Sequence, residues 1–375
     1  MNGSIPAVGV ICEYNPFHNG HASHLAMIRR ELGECVIICA MSGSFTQRGD
    51  VAILPPDLRA RMALEGGADI VFEMPLAHTL KSAEGYACGG VSMLNALGVC
   101  DYISFGCEDT GLLWDAYNAG SPDVRRGLDA GLSYAKACGL PNMSNLILGV
   151  EYLRALDKLP GSSDEVGRMK PLPIRRDAGG NITSASNIRQ LIADGDMDAA
   201  ARFMPDAAFR LLCDNPERVR LTRNLDGLLL GMLRMSAPTL IRETPGISEG
   251  MENLIYKGAF RASTRDELIL MVKSKRYTYT RISRALTLFM LGITKETEAM
   301  HIEPRYARLL GFRKSAQPLL RRIQNTSAIP IITKPANHRH DPLFTVDVMA
   351  ASIAALASDR KSESMLTMVP HILSD

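Results

Sequence analysis

The chain has 375 residues, 46% of them hydrophobic and 22% charged, with Lys+Arg 42 against Asp+Glu 40. That composition excludes a disordered, collagenous or coiled-coil chain, and at ~100–200 residues per domain the length predicts two domains, with room for a third. A formal net charge of +2 argues, taken alone, against a nucleic-acid partner.

The first ~110 residues alternate short apolar runs with longer helical patterns. Ala7–Glu13, Cys35–Met41, Asp69–Glu73 and Asp101–Gly106 are read as strands, and residues 20–33, 56–66 and 82–98 as helices. The strands are apolar on both faces, as in a parallel sheet covered by helices. The β-α-β order therefore implies an α/β doubly wound, Rossmann-like domain. Residues 108–160 read as mainly helical, Lys170–Arg175 as one more strand, and Ser186–Ala193 as a helix with a serine at its N-cap. From about 196 to 325 the pattern is helical, with helices expected at Leu225–Met235, Arg265–Lys273 and Arg281–Leu291. A short strand is expected at Ile329–Thr333 and a last helix at Asp347–Ala357, and the domain boundary is placed between 195 and 225.

No apolar run approaches the ~20 residues of a membrane helix. Met1–Pro6 carries no basic residue and Glu13 interrupts the first apolar run, so no secretory signal is expected. The eight cysteines form no CxxC and most sit in apolar stretches. They read as buried reduced thiols, which predicts a cytoplasmic protein.

Three of the eight histidines, His18, His21 and His24, follow the first strand in Ile11-Cys12-Glu13-Tyr14-Asn15-Pro16-Phe17-His18-Asn19-Gly20-His21-Ala22-Ser23-His24. The carboxyl end of a first strand is where ligands bind in open α/β sheets, and a helix N-terminus offers free N–H groups to a phosphate. Gly20 lets the backbone come close. Two imidazoles three residues apart share a helical face and can donate to phosphate oxygens while charge builds at the phosphorus. His18-Asn19-Gly20-His21 in this setting is the HxGH signature of the nucleotidylyltransferase superfamily. For His24, capping or packing is as good a reading as ligand contact.

Thr183-Ser184-Ala185-Ser186-Asn187-Ile188-Arg189 resembles the second motif of that superfamily, a hydroxyl-rich turn followed by Ile-Arg at a helix start. Hydroxyls and N–H groups there, Ser186 among them, can hold the outer phosphates, and Arg189 can neutralise departing pyrophosphate.

The resemblance extends to a narrower family. Glu13–His21, Met41-Ser42-Gly43-Ser44-Phe45-Thr46-Gln47-Arg48-Gly49-Asp50, Ser104–Glu108, Asn145–Tyr152, Glu249–Asn253 and Lys275–Ile282 are similar to segments of the bacterial tRNA(Met) cytidine acetate ligases, in order along almost the whole chain. The resemblance implies an enzyme that adenylates acetate with ATP and transfers the acetyl group to N4 of the wobble cytidine of elongator tRNA(Met). It implies an ATP site made of Ile11 to His24 with Gly106, Asn145, Arg175 and Arg176, and Mg²⁺ is expected to shield the pyrophosphate. Asp50 stands where glutamate is expected, and Leu146 where a second asparagine is usual. Ser42, Ser44, Gln47, Arg48 and Asp50 would border the same cleft, to bind acetate or orient the cytidine; a structured loop is the other reading.

The near-neutral sum conceals a segregation. Residues 257–322 hold 15 basic and five acidic residues, a net +10, which leaves −8 for the rest. Lys273, Lys275, Arg276, Arg281 and Arg284 are interleaved with Tyr277 and Tyr279, a pattern that suits phosphate contacts and base stacking. The division expected is therefore an ATP-binding domain over 1–200 and a mainly helical tRNA-binding domain over 201–375. Two other functions fit parts of the pattern: an adenylyltransferase for a small metabolite, which needs no cationic segment, and a noncatalytic tRNA- or nucleotide-binding protein. His338-Arg339-His340-Asp341 is read as an exposed polar loop rather than a metal site.

Overall fold

Five parallel strands form the centre of the sheet: β1 (Ala7–Cys12), β2 (Val36–Ser42), β3 (Ile70–Met74), β4 (Tyr102–Cys107) and β5 (Lys170–Arg175). In this computed structural model residues 5–118, 143–159, 169–175, 183–248, 250–300, 303–360 and 364–374 are described. The strand order β5-β4-β1-β2-β3 reverses direction between β1 and β4. A crevice opens at such a switch point, outside the carboxyl ends of the two strands.

Side chains alternate across the sheet as the strand period requires. Ile38, Ala40, Phe72 and Ile103 face one core, covered by α3 (Ala83–Ala96) and α4 (Ser144–Asp157). Val8, Val10, Ile37, Cys39 and Met41 face the other, covered by α1 (Asn19–Leu32), α2 (Pro56–Glu65) and α5 (Ala185–Asp194). Gly9 lets α3 approach: a Cβ there would stand 2.6 Å from Leu94 Cδ1. These elements match the sequence expectation to within a few residues. The α5 cap is Ser184, which accepts from Asn187 N.

A third core is helical. It joins α6 (Asp226–Met235), α7 (Met251–Ala259), α8 (Arg265–Val272) and α9 (Tyr279–Met290) through Leu229, Leu233, Ile255, Leu268, Ile282 and Leu286. Thr264 and Thr278 cap α8 and α9 by accepting from Glu267 N and Arg281 N.

Beyond this bundle the chain returns to the sheet. β6 (Ala307–Arg313) pairs antiparallel with β3, and β7 (Ile331–Ile332) and β8 (His371–Leu373) both pair parallel with β6. Of the stretch assigned above to the helical domain, residues 307–373 thus supply three strands of the sheet. β6 carries Arg308 and Arg313 and reads as part of a cationic run. Pairing with β3 makes it a buried strand, because Arg308 meets Glu73 across the ladder. Helices α10 (Gln317–Thr326) and α11 (Pro342–Ala355) close this end. Helix α11 begins five residues before the expected Asp347, because Asp341 caps it and Pro342 fits its first turn.

Seven cysteines lie among the described residues and all are free thiols. Cys12, Cys35, Cys39, Cys100 and Cys107 are buried, Cys88 is half-buried, and Cys213, against expectation, is exposed. Cys138 lies outside the described residues. Among the described residues no helix is long and apolar enough to cross a membrane.

Candidate active site

The first loop leaves β1 at the switch point and folds back on itself before α1. Tyr14 adopts φ 46°, a left-handed conformation that side-chain-bearing residues seldom take and that tends to cluster at functional sites. Its ring is buried between Phe17 and His21, at centroid distances of 4.9 and 4.8 Å, and its hydroxyl meets Cys39 Sγ at 3.6 Å. His18 is the N-cap of α1. Its Nδ1 accepts from Gly20 N at 3.0 Å, while His21 Nδ1 accepts from His18 N at 3.3 Å. The two rings stack with centroids 3.7 Å apart. An accepting Nδ1 carries no proton, so these bonds put both neutral rings in the Nε2–H form. The helix start therefore carries two Nε2–H donors on stacked rings beside its own positive dipole end, which suits the oxygens of a phosphate.

His24 does something else. Its Nε2 lies 3.0 Å from Ser104 Oγ, and Ser104 gives its own hydrogen to Leu172 O. The ring thus ties α1 to β4 and β5, which favours the packing reading. Asn19 is tied by its main-chain N to Phe203 O and by Nδ2 to Arg202 O. Ile11, Cys12, Tyr14 and Phe17 bury their side chains in the two sheet cores, and Asn15 and Pro16 are buried as well. Contact of Ile11, Cys12 and Phe17 with a ligand would run through the backbone. Gly20, Ala22 and Ser23 are half-buried in the first turns of α1.

Several expected side chains converge on the loop. Arg189 reaches from α5 to Asn15 O at 2.8 Å and to Ser186 Oγ at 3.0 Å. Glu13 Oε1 accepts from Gln47 N at 2.7 Å, and Asn15 Oδ1 from Ile53 N at 2.7 Å. Burial pushes the Glu13 carboxyl up, against the pull of the Gln47 N–H and of Arg189, Arg48 and Arg59. Burial pushes Arg189 down, against Asp50 and Glu13. Arg48 is exposed. Ser42 and Ser44 are buried: Ser42 Oγ meets the Tyr86 hydroxyl at 3.3 Å and Ser44 O accepts from Ala52 N. Ser42 thus ends β2 with its hydroxyl turned to Tyr86, and Ser44 lies buried in the loop that follows.

A residue the sequence does not single out holds this region together. Arg59 of α2 is fully buried and donates to the carbonyls of Glu13, Ser42, Gly43 and Leu54. It fixes the carboxyl ends of β1 and β2 against each other, and burial pulls it down to about 10. Within Pro56-Asp57-Leu58-Arg59-Ala60-Arg61 it looks like any solvated helix arginine, and no local signal distinguishes it from Arg61.

On the other side of the crevice, Gly106 lies near the end of β4, Glu108 follows the strand, and Asn145 lies in the first turn of α4. Asn145 Nδ2 donates to Glu108 Oε1 at 2.7 Å, and Glu108 Oε2 is buried with no hydrogen-bond partner among the described residues. A buried lone acceptor of this kind fits a hydroxyl or amine donor from a ligand. Leu146 is core, 1% exposed, which explains an apolar residue there. Arg175 is exposed at the end of β5, opposite Cys107. Arg176 lies outside the described residues.

Two carboxylates of the expected site region are engaged. Glu13 is held by Gln47, and Asp50 Oδ1 accepts from Arg265 at 3.1 Å. No three His, Cys, Asp or Glu side chains gather into a metal-binding group among the described residues. Within the 338–341 loop, Arg339 Nε donates to His340 Nε2 at 2.9 Å and Asp341 caps α11.

The cationic segment divides into two places. Lys273, Lys275 and Arg276 are exposed in the turn between α8 and α9. Arg281 donates to Gly246 O at 3.1 Å and Ser248 Oγ at 3.0 Å, and its guanidinium lies 5.4 Å from the Tyr277 ring centre. Arg284 is half-buried, and burial together with Arg281 brings it to about 10. Tyr277 belongs to the helical core, 5% exposed. It therefore has no face to offer a base, because its apolar ring completes the packing of α7 to α9. Tyr279 is partly exposed and its hydroxyl donates to Asp266 at 2.6 Å. Arg308 and Arg313 lie in β6, and Lys314, Arg321 and Arg322 follow it, so the net +10 does not form one face.

A family profile described as HIGH Nucleotidyl Transferase matches residues 5–367. The chain is 34% identical to the tRNA(Met) cytidine acetate ligase of Acetivibrio thermocellus, over 87% of this chain and 88% of that one. It is 33% identical to the protein of the same name from Thermoanaerobacter sp. strain X514, over 98% and 99%. Among solved structures it resembles Thermotoga maritima TmcAL bound with alpha-thio ATP, at a TM-score of 0.90 and 26% identity over 99% of this chain and 100% of the other. With its HxGH pair on the first loop of a doubly wound sheet and full-length similarity of this degree, the chain belongs to the HIGH nucleotidyl transferases and, among them, to the tRNA(Met) cytidine acetate ligase family.

Proposed function

We propose that this protein is an ATP-dependent acetate ligase that acetylates N4 of the wobble cytidine of elongator tRNA(Met). The observation that carries the reading is the His18–His21 pair at the start of α1, with both Nε2–H groups set by backbone bonds to Nδ1. In the first half-reaction an acetate oxygen attacks the α-phosphorus of ATP and the bond to the β-phosphate oxygen breaks. Acetyl-AMP forms and pyrophosphate leaves. The histidine donors and the helix N-terminus stabilise the charge that grows on the α-phosphate, a stabilisation worth about 3–4 kcal/mol per well-placed donor. Arg189, held on Asn15 O and Ser186 Oγ, is the side chain we assign to the departing pyrophosphate. Gly106, Glu108 and Asn145 form the nucleoside side of the site in this reading, and Arg175 and Arg176 are assigned to phosphates. Magnesium would enter on the nucleotide's own phosphates, its usual mode of binding.

In the second half-reaction the cytidine N4 amine attacks the acetyl carbonyl, AMP leaves, and the amine loses a proton. An exocyclic amine is a weak nucleophile, so positioning supplies much of the rate. The exposed turn Lys273, Lys275 and Arg276, with Arg281 and Arg284 behind it, is the surface we assign to tRNA phosphates. That turn favours a nucleic acid over a small metabolite as acceptor. The test is to incubate the protein with ATP, acetate and unmodified tRNA(Met), then to measure pyrophosphate, AMP and N4-acetylcytidine. Release of pyrophosphate and AMP with an unmodified tRNA would point to a small-molecule acceptor, and ATP binding without turnover to a noncatalytic protein.

A further inference from the structure

The hairpin Ser44–Ala52 belongs to two places at once. Phe45 bridges Val51, and both side chains are buried in the helical core although they precede it by more than 170 residues in the chain. Apolar anchoring of this kind makes the hairpin part of the bundle rather than an appendage of the sheet. Its tip nevertheless reaches the end of β1, where Gln47 N donates to Glu13 Oε1 at 2.7 Å and Gln47 Nε2 to Lys81 O at 2.9 Å.

The opposite side of the tip is held by three side chains of α8 and α9. Ser283 Oγ donates to Arg48 O at 2.5 Å and Thr287 Oγ1 to Gly49 O at 2.5 Å. Arg265, buried between them, donates to Gly49 O at 3.0 Å, to Ser283 Oγ at 2.6 Å and to Asp50 Oδ1 at 3.1 Å. Gly49 allows the contact: it sits at φ +91°, and a Cβ there would stand 2.9 Å from the backbone of Arg284. Buried carbonyls need donors, and these two receive theirs from the helix that also carries Arg281 and Arg284. The shorter carboxylate at position 50 is long enough for the arginine it meets.

We infer that Arg265, Ser283 and Thr287 are positioning residues that fix Arg48 and the Gln47 N–H against the nucleotide site, so that transfer of the acyl group to a nucleic acid held on the α8–α9 turn depends on this latch. The inference rests on the proposed function. Adenylation uses the histidine pair at the start of α1, whereas the three latch side chains lie on α8 and α9. Transfer needs the nucleotide site and the bundle in register, and the latch sets that register through two hydroxyls and one guanidinium.

The test uses the full-length chain with Ser283→Ala combined with Thr287→Val, and separately Thr287→Ser, which keeps the hydroxyl. Four quantities are read for each: melting temperature, acetate-dependent ATP–pyrophosphate exchange without tRNA, tRNA(Met) affinity, and single-turnover acetyl transfer from preformed acetyl-AMP. The latch predicts that exchange and affinity of the double variant stay at the wild-type level while transfer falls on the order of 10-fold or more, and that Thr287→Ser transfers normally. Transfer at the wild-type rate in the double variant overturns the inference, as does a parallel loss of exchange and transfer with a lowered melting temperature. A wild-type protein that makes no acetyl-AMP overturns the proposed function itself, and the inference falls with it.

Discussion

His18 and His21 stack with ring centroids 3.7 Å apart, and each gives its Nδ1 to a backbone N–H of the same helix start. One motif thus caps α1 and aims two Nε2–H donors. His21→Ala should abolish most of the acetate-dependent ATP–pyrophosphate exchange, a fall of about 100-fold or more. His18→Ala should lose exchange similarly and also cost about 1 kcal/mol of stability through the missing cap. Exchange kinetics together with urea denaturation separate the two effects.

The buried pair Arg308–Glu73 joins β6 to β3, with side chains 3% and 6% exposed. Removing one partner strands the other charge in the core. Arg308→Met alone should cost about 3–5 kcal/mol, whereas Arg308→Met with Glu73→Leu should recover most of that loss. Denaturant midpoints of the single and double variants check this.

Asp347 of α11 is buried against Tyr306, whose hydroxyl donates at 2.6 Å, and Leu76 N, which donates at 2.8 Å. Burial, and then the nearby Glu73 charge, raise its carboxyl to about 7, against the Tyr306 and Leu76 bonds and Arg308. The folded chain therefore keeps this proton after the unfolded chain has released it. The associated stability is complete below about pH 4 and is lost as pH rises to about 7. Asp347→Asn should gain stability relative to wild type between pH 4 and 7, with no further relative gain above pH 8. Melting curves across that range measure the difference.

Lys273, Lys275 and Arg276 are exposed at one turn, while Arg321 and Arg322 lie on α10, which packs on the sheet core. Charge reversal at the first three should raise the KM for tRNA and flatten the dependence of affinity on salt, by up to about one slope unit for each phosphate no longer neutralised. Reversal at Arg321 and Arg322 should leave both unchanged. Steady-state kinetics at several salt concentrations check both.

Much of the nucleotide half is legible in the sequence because its signals are local. Apolar runs of strand length, Gly20 between two histidines and a serine-rich turn before Ile188-Arg189 each carry their meaning within a few residues. The illegible parts depend on partners distant in the chain. Ala307–Arg313 reads as cationic because its partner, Glu73, lies 235 residues away from Arg308. Tyr277 looks available to a base until the helical core is folded around it. Arg59 and Arg265 carry no local mark, since their value lies in the carbonyls of Glu13, Ser42 and Gly49 that the fold brings to them.

The proposed activity is tested most directly by nucleoside mass spectrometry of tRNA(Met) after incubation with the protein, ATP and isotopically labelled acetate. The expected result is N4-acetylcytidine at the wobble position carrying the label, formed only when ATP and acetate are both present and absent with His21→Ala. An unmodified wobble cytidine with the wild-type protein under those conditions would contradict it.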